Sequence, residues 1–149
     1  MSDTTPTAAT ETAALQAALA AEYTAIWGYG VVGAARSPDG RAPAAAAEAA
    51  HRDVRDRVSA LLTARSVEPA KEQGGYALPF PILSAVDAAA LGVVLEVGVA
   101  AAWVRVLGQA AQRTTRELAV GLLSAAEVRA VSWRTAAGKK PVTSALPGL

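Results

Sequence analysis

Four stretches of this chain repeat apolar side chains at alternating spacings of three and four residues, and each stripe is interrupted by one glutamate. The first runs from about Ala8 to Ala35 and carries Leu15, Leu19, Glu22, Ile26 and Tyr29. The second, from about Pro43 to Arg65, carries Ala44, Glu48, His51, Val54, Val58 and Leu61. The third begins near Ser84, with Ser84 and Asp87 as a capping pair, and carries Val86, Ala89, Val93, Glu96, Ala100, Trp103 and Leu107. The fourth begins at Thr114, with Glu117 completing a capping box, and carries Val120, Leu123, Glu127, Ala130, Val131 and Arg134. Gly138 and Pro141 stop it. Such spacing defines one face of a helix. Composition agrees: alanine dominates the apolar residues and only 5% are aromatic, which favours helices because alanine loses no side-chain entropy there. The expected fold class is all-α, in one domain. Residues 1–7 are expected to be a flexible N-terminus, 8–137 a four-helix bundle and 138–149 a loosely held basic tail.

The connections restrict the topology. About seven residues, SPDGRAP, join the first two helices, and only a few join the last two, so each pair should form an antiparallel hairpin. Between the hairpins lie about 18 residues, SVEPAKEQGGYALPFPIL. A helix of about 26 residues is about 39 Å long. Sixteen extended residues reach roughly 53 Å. The linker can therefore cross the whole bundle and start the third helix at the opposite end.

Gly28, Gly30 and Gly33 in WGYGVVGAAR match the dinucleotide-binding pattern G-x-G-x-x-G, with Glu48 twenty residues after the first. That pattern has meaning only between a strand and a helix. Here helical sequence precedes Gly28 and surrounds Glu48, so no nucleotide site is expected and cofactor binding of that kind is excluded. The glycines are expected to permit close packing against a bulky neighbour, or to loosen the helix end.

Cysteine is absent, which excludes disulfides and thiolate chemistry, and His51 is the single histidine. Net charge is +1, too small for a global field that recruits nucleic acid. Residues 1–96 hold seven Lys/Arg against eleven Asp/Glu, and residues 97–149 hold seven against two. The basic C-terminal third could meet an acidic partner, or could be solvated helix face and tail. The N-terminus lacks the pattern of a secretory signal. The apolar run 82–104 contains Asp87 and Glu96, so a buried bundle helix is expected rather than a membrane span, and a bacterial cytoplasm is the expected location. No catalytic residue is assigned.

A buried glutamate is unfavourable unless paired. Glu96 and Glu127 are equidistant from the turn near 111–112, and Glu22 and Glu48 from position 35, so the two pairs are expected to meet in the bundle centre. This arrangement resembles the ferritin-like di-iron carboxylate proteins, which place Glu, Glu-x-x-His, Glu and Glu-x-x-His on four successive helices. Glu22 matches the first position, Glu48 and His51 in EAAH the second motif, and Glu96 in VLEVG the third. Glu127 in EVRA matches half of the fourth motif, with Ala130 at the histidine position. The segments AAEYTAIWGYG and EAAHRDVRDRV also look like an uncharacterised actinobacterial ferritin-like domain family.

The resemblance implies a ferritin-like four-helix bundle with a degenerate carboxylate–histidine site made of Glu22, Glu48, His51, Glu96 and Glu127. Such a site is either metal-free or holds at most one iron or manganese ion. A metal-free site would pair its glutamates with Arg55, Arg134 or His51. The alternatives are a di-metal iron or manganese oxidoreductase, with Tyr23 or Tyr29 near the metals, and a non-catalytic interaction module using the basic C-terminal third. Alanine-rich bundle faces are compatible with a homodimer; the substrate is undefined.

Overall fold

The computed structural model describes residues 5–149. Of the N-terminal segment 1–7, residues 1–4 lie outside the described residues. The protein is all-α: α1 (Ala8–Ala35), α2 (Pro38–Ala64), α3 (Ala85–Gln109) and α4 (Arg113–Ala136). Thr7 caps α1 in a reciprocal pair with Thr10. Ser84 caps α3 by accepting from the Asp87 N–H at 3.0 Å, while the Asp87 carboxylate accepts from the Leu83 N–H.

Two boundaries differ from expectation. α2 starts at Pro38 rather than Pro43, so only Arg36 and Ser37 connect the first hairpin. Pro38 satisfies the first-turn preference for proline as well as Pro43 does, and Asp39 adds a favourable charge at the positive end of the helix. Pro43 then sits inside the helix, where it removes one backbone donor. α4 has Gln112 at its N-cap with no side-chain cap of its own, instead of the Thr114–Glu117 box. Glu117 pairs with Arg113 at 2.8 Å, and the cap comes from another helix. The Glu11 carboxylate of α1 accepts from the Gln112 N–H at 2.7 Å and from the Thr115 hydroxyl at 2.7 Å.

Cross-helix contacts fix the directions. Glu22 meets His51 while Gly33 approaches Ala44, so α1 and α2 are antiparallel. Glu22 meets Trp103 while Tyr29 meets Glu96, so α1 and α3 are antiparallel. Glu96 meets Arg129 while Gly92 faces Trp133, which makes α3 and α4 antiparallel. Parallel α2 and α3 require a crossing connection, and residues 65–84 supply it. The Gln16 side chain bonds the backbone of Glu68 and Ala70, Trp27 packs on Tyr76 at 5.8 Å, and Arg36 donates to the Ala85 carbonyl. The linker thus runs the length of α1. Close packing joins α1–α2, α1–α3 and α3–α4, while α2 and α4 face each other across a cleft.

The core is built from Leu15, Leu19, Val32, Val58, Leu62, Leu91, Trp103 and Val106, all essentially inaccessible. α3 is long and apolar enough to cross a membrane by composition alone, and half of that window is buried within the bundle. The C-terminal segment, expected to be loosely held, lies back on the bundle. Arg134 donates to the Val142 carbonyl at 3.0 Å, the Ser144 N–H donates to Glu127, and Gly148, at φ +81°, passes against Ala100 and Val104. Of the three glycines in the first helix only Gly28 is needed for close approach, because a Cβ there would lie 2.6 Å from Leu95.

Gly92 is the tighter constraint. A Cβ at this position would lie 2.7 Å from the Trp133 ring, a rigid group with Tyr29 packed on it in a tilted arrangement at 5.8 Å. Gly92→Ala is expected to destabilise the protein by about 1–3 kcal/mol through overpacking. Gly30→Ala, at an exposed helical position with open space around it, should instead stabilise by about 0.4–1 kcal/mol. Urea titration of both variants checks the opposite signs.

Candidate functional site

At the centre of the bundle every helix contributes a polar group to one connected cluster. α1 brings Glu22 and Tyr29, α2 brings His51, α3 brings Glu96 and Trp103, and α4 brings Arg129. His51 lies between the two carboxylates. Its Nδ1–H donates to Glu22 Oε2 at 2.6 Å and its Nε2–H to Glu96 Oε1 at 3.0 Å. The other Glu22 oxygen accepts from the Trp103 indole N–H at 2.9 Å. Glu96 Oε1 also accepts from the Tyr29 hydroxyl at 2.5 Å and from the Arg129 Nε–H at 2.9 Å. Glu96 Oε2 is buried without a hydrogen-bond partner among the described residues.

The electrostatics follow from this geometry. Burial pushes the His51 imidazole toward neutrality, but the hydrogen bonds and charges of Glu22 and Glu96 outweigh it and raise its pKa to about 9. Burial likewise pushes the Glu96 carboxyl up, and His51 and Arg129 more than reverse that, holding it below the usual carboxylate range. Burial and the adjacent Glu96 charge drive the Tyr29 hydroxyl well above its ordinary value, so it remains a proton donor. Two anions, Glu22 and Glu96, are therefore matched by two cations, His51 and Arg129. This balance lets the cluster stay buried.

The structure brings Glu22, His51 and Glu96 together and leaves the other two predicted site residues outside. Glu48 is 27% exposed in its side chain and pairs with Arg52 at 2.6 Å. Glu127 pairs with Arg134 at 2.7 Å and accepts from the tail. The expected convergence of four carboxylates is corrected to two, for reasons of register and, on α4, because the buried face runs through Ala119, Ala126, Ala130 and Trp133 rather than through Val120 and Glu127. With the first turn at Arg36 and Ser37, the residue level with Glu22 is His51, three positions beyond Glu48. In the second hairpin the residue level with Glu96 is Arg129, two positions beyond Glu127. Ala130, where a second histidine would stand, is a buried apolar position. Arg55 pairs with Asp56 and takes no part.

Two participants went unread in the sequence. Arg129 adjoins the apolar stripe of α4, where a long cationic side chain reads as solvated face. Glu11 lies four residues before Leu15 on the α1 stripe, so the stripe itself could have revealed it. Fully buried, it accepts from Thr115 and Gln112 and pairs with Arg65 at 2.6 Å. Burial raises the Glu11 carboxyl, and these donors hold it below its ordinary value.

The fit of this cluster to a metal ion can be judged from its donors. A histidine ligand must be neutral with a free lone pair, whereas both His51 nitrogens face carboxylates and the ring is held protonated. The Arg129 guanidinium already sits on Glu96 Oε1, the same oxygen that His51 and Tyr29 approach. Among the described residues no group of three or more His, Asp or Glu side chains has a metal-binding arrangement. The residues present do not fit a metal ion. Two surface openings flank the cluster. A groove of about 400 Å³ between α1, α3 and the linker is apolar and is lined by no member of the cluster. A smaller cleft of about 200 Å³ between α2 and α4 is bordered by Arg129.

Protonation of the cluster predicts how stability varies with pH. His51 has a folded pKa above its ordinary 6.5, so its contribution is fully present below about pH 6.5 and is lost as pH rises through about 9. Glu96 and Glu11 are depressed, so theirs is present above the ordinary carboxylate pKa of 4.5 and lost as pH falls. Thermal melts are expected to peak between about pH 5 and 7, with an alkaline loss of about 3 kcal/mol that disappears in His51→Gln. His51→Ala, which leaves two buried carboxylates facing one cation, should cost about 3–5 kcal/mol at pH 6.

No curated protein matches this chain. Among solved structures, a conserved hypothetical protein, rv2844, from Mycobacterium tuberculosis superposes with a TM-score of 0.84 at 37% sequence identity, covering 87% of this chain and 98% of that one. Residues 14–149, which include all four helices except the first turns of α1, match the model of a domain of unknown function. The chain belongs to that family, DUF4439.

Proposed function

We propose that this chain is a ferritin-like bundle in which an internal ion network stands where the related di-iron proteins hold metal, and that it serves as a non-catalytic binding protein. The observation that carries this reading is the position of His51, with each ring nitrogen on a different buried carboxylate and Arg129 on the same Glu96 oxygen. The positive charge that balances the two buried carboxylates is supplied by the protein itself, from His51 and Arg129. Glu22, His51 and Glu96 are fully buried, so no substrate can touch them, and acid–base catalysis needs such contact.

The basic C-terminal third lends less support to an acidic-partner module. Arg129, Arg134 and Arg113 each pair with a glutamate of their own chain, and Arg116 donates to the Ala110 carbonyl. That leaves Arg105, Lys139 and Lys140 as the exposed remainder rather than a continuous basic surface.

Elemental analysis of protein purified without chelator, then dialysed against ferrous or manganous ion under nitrogen, tests the metal-free reading. The expected result is no more than a trace of metal per chain and an unchanged melting temperature. One tightly held ion per chain, with a raised melting temperature, would overturn it.

A further inference from the structure

We propose that the cleft between α2 and α4 is a binding site for a small organic carboxylate, held by Arg129 at the inner end and by an apolar wall. Six residues form it. Pro43, Ala46 and Ala47 come from α2, and Arg129, Ser132 and Trp133 from α4. The α4 residues recur at spacings of three and four, so they share one helix face.

Arg129 is the reason to expect an anion. Its Nε–H is committed to Glu96, and the side chain is 24% exposed at the cleft. A guanidinium carries five N–H donors in a planar fork. None of the four on the Nη nitrogens has a hydrogen-bond partner among the described residues. Pinning Nε fixes the plane of the fork and reduces the entropy lost when a carboxylate docks on the open edge. The Ser132 hydroxyl at the mouth also has no partner among the described residues, although Ser124 and Thr135 on the same helix each bond the carbonyl four residues back. Two unfilled donor groups therefore face the same cleft.

The rest of the lining decides what the carboxylate is attached to. Ala47 and the Trp133 indole are buried and form the floor, and Pro43 and Ala46 form the rim. None of these four side chains offers a charge, so the body of the ligand is apolar and small enough for about 200 Å³. A small apolar acid therefore fits best.

The proposal rests on the metal-free reading, and the two fail separately: metal content is read on the isolated protein, whereas the titration reads the cleft alone. Benzoate is the probe, followed by the NMR signals of the Trp133 indole N–H and the Arg129 Nε–H. Both are expected to shift saturably, and benzamide, the same shape without the charge, should bind at least about tenfold more weakly, or about 1.4 kcal/mol. Ala46→Leu narrows the cleft from an exposed helical position without touching Arg129. It should weaken benzoate at least about tenfold while leaving the melting temperature unchanged. Absence of a saturable shift would overturn the proposal. So would equal affinity for benzamide, or benzoate binding that ignores Ala46→Leu.

Discussion

Two carboxylates in the middle of an alanine-rich bundle set the terms for the rest of the molecule. Glu22 and Glu96 are inaccessible to water, and an unpaired ionised carboxylate in such surroundings would shed its charge or unfold the chain. The bundle meets that demand with His51 and Arg129, one cation from each of the two helices that do not carry the acids. Tyr29 and Trp103 donate the remaining hydrogen bonds. A similar solution recurs near one end of the bundle, where buried Glu11 gathers Arg65, Thr115 and the Gln112 N–H. Each acid ties together segments far apart in sequence, so the polar interior helps to fix which helices meet and at what level.

Helix positions were legible because periodic apolar stripes report directly on burial. α1 was read to the residue, and the crossing linker followed from length alone. Local signals misled where two of them competed. Pro38 and Pro43 are both valid helix starts, and SPDG also reads as a turn, so the first hairpin was given too long a loop. Register in an antiparallel hairpin depends on the midpoint of its turn: the observed turn at Arg36 and Ser37 puts His51 level with Glu22, whereas pairing Glu22 with Glu48 needs a midpoint at position 35, short of the turn. The stripes gave nearly the right face of α1, α2 and α3, but on α4 the buried face runs through Ala119, Ala126, Ala130 and Trp133 and leaves Val120 exposed.

The same cause explains which site residues were seen. Glu22, His51 and Glu96 were identified because a polar residue on an apolar stripe is conspicuous. Arg129 was passed over because its partner lies 33 residues away on another helix. Its snorkelling side chain borders the stripe instead of interrupting it. Glu11 was passed over because an acid in the first turn of a helix is expected on dipole grounds. Its place one turn before Leu15 on the stripe was the available signal, and its partners come from the α3–α4 turn, far away in sequence.

Holding the buried acids with fixed cations also shapes the mechanics of the bundle. A metal ion draws its ligands inward from all sides, whereas His51 and Arg129 reach Glu96 from helices that do not pack on each other. α2 and α4 are therefore connected through a carboxylate on α3 and, near one end, by Arg65 donating to Gln112 and Thr115. Long side chains span the separation between the two helices, and a cleft remains along it, with Arg129 crossing from the surface to the buried cluster. Any charge that binds at the outer end of that guanidinium acts on the group that neutralises Glu96 at the inner end. Surface and core are linked electrostatically by one side chain, because Arg129 is part-exposed at the cleft and bonded to buried Glu96.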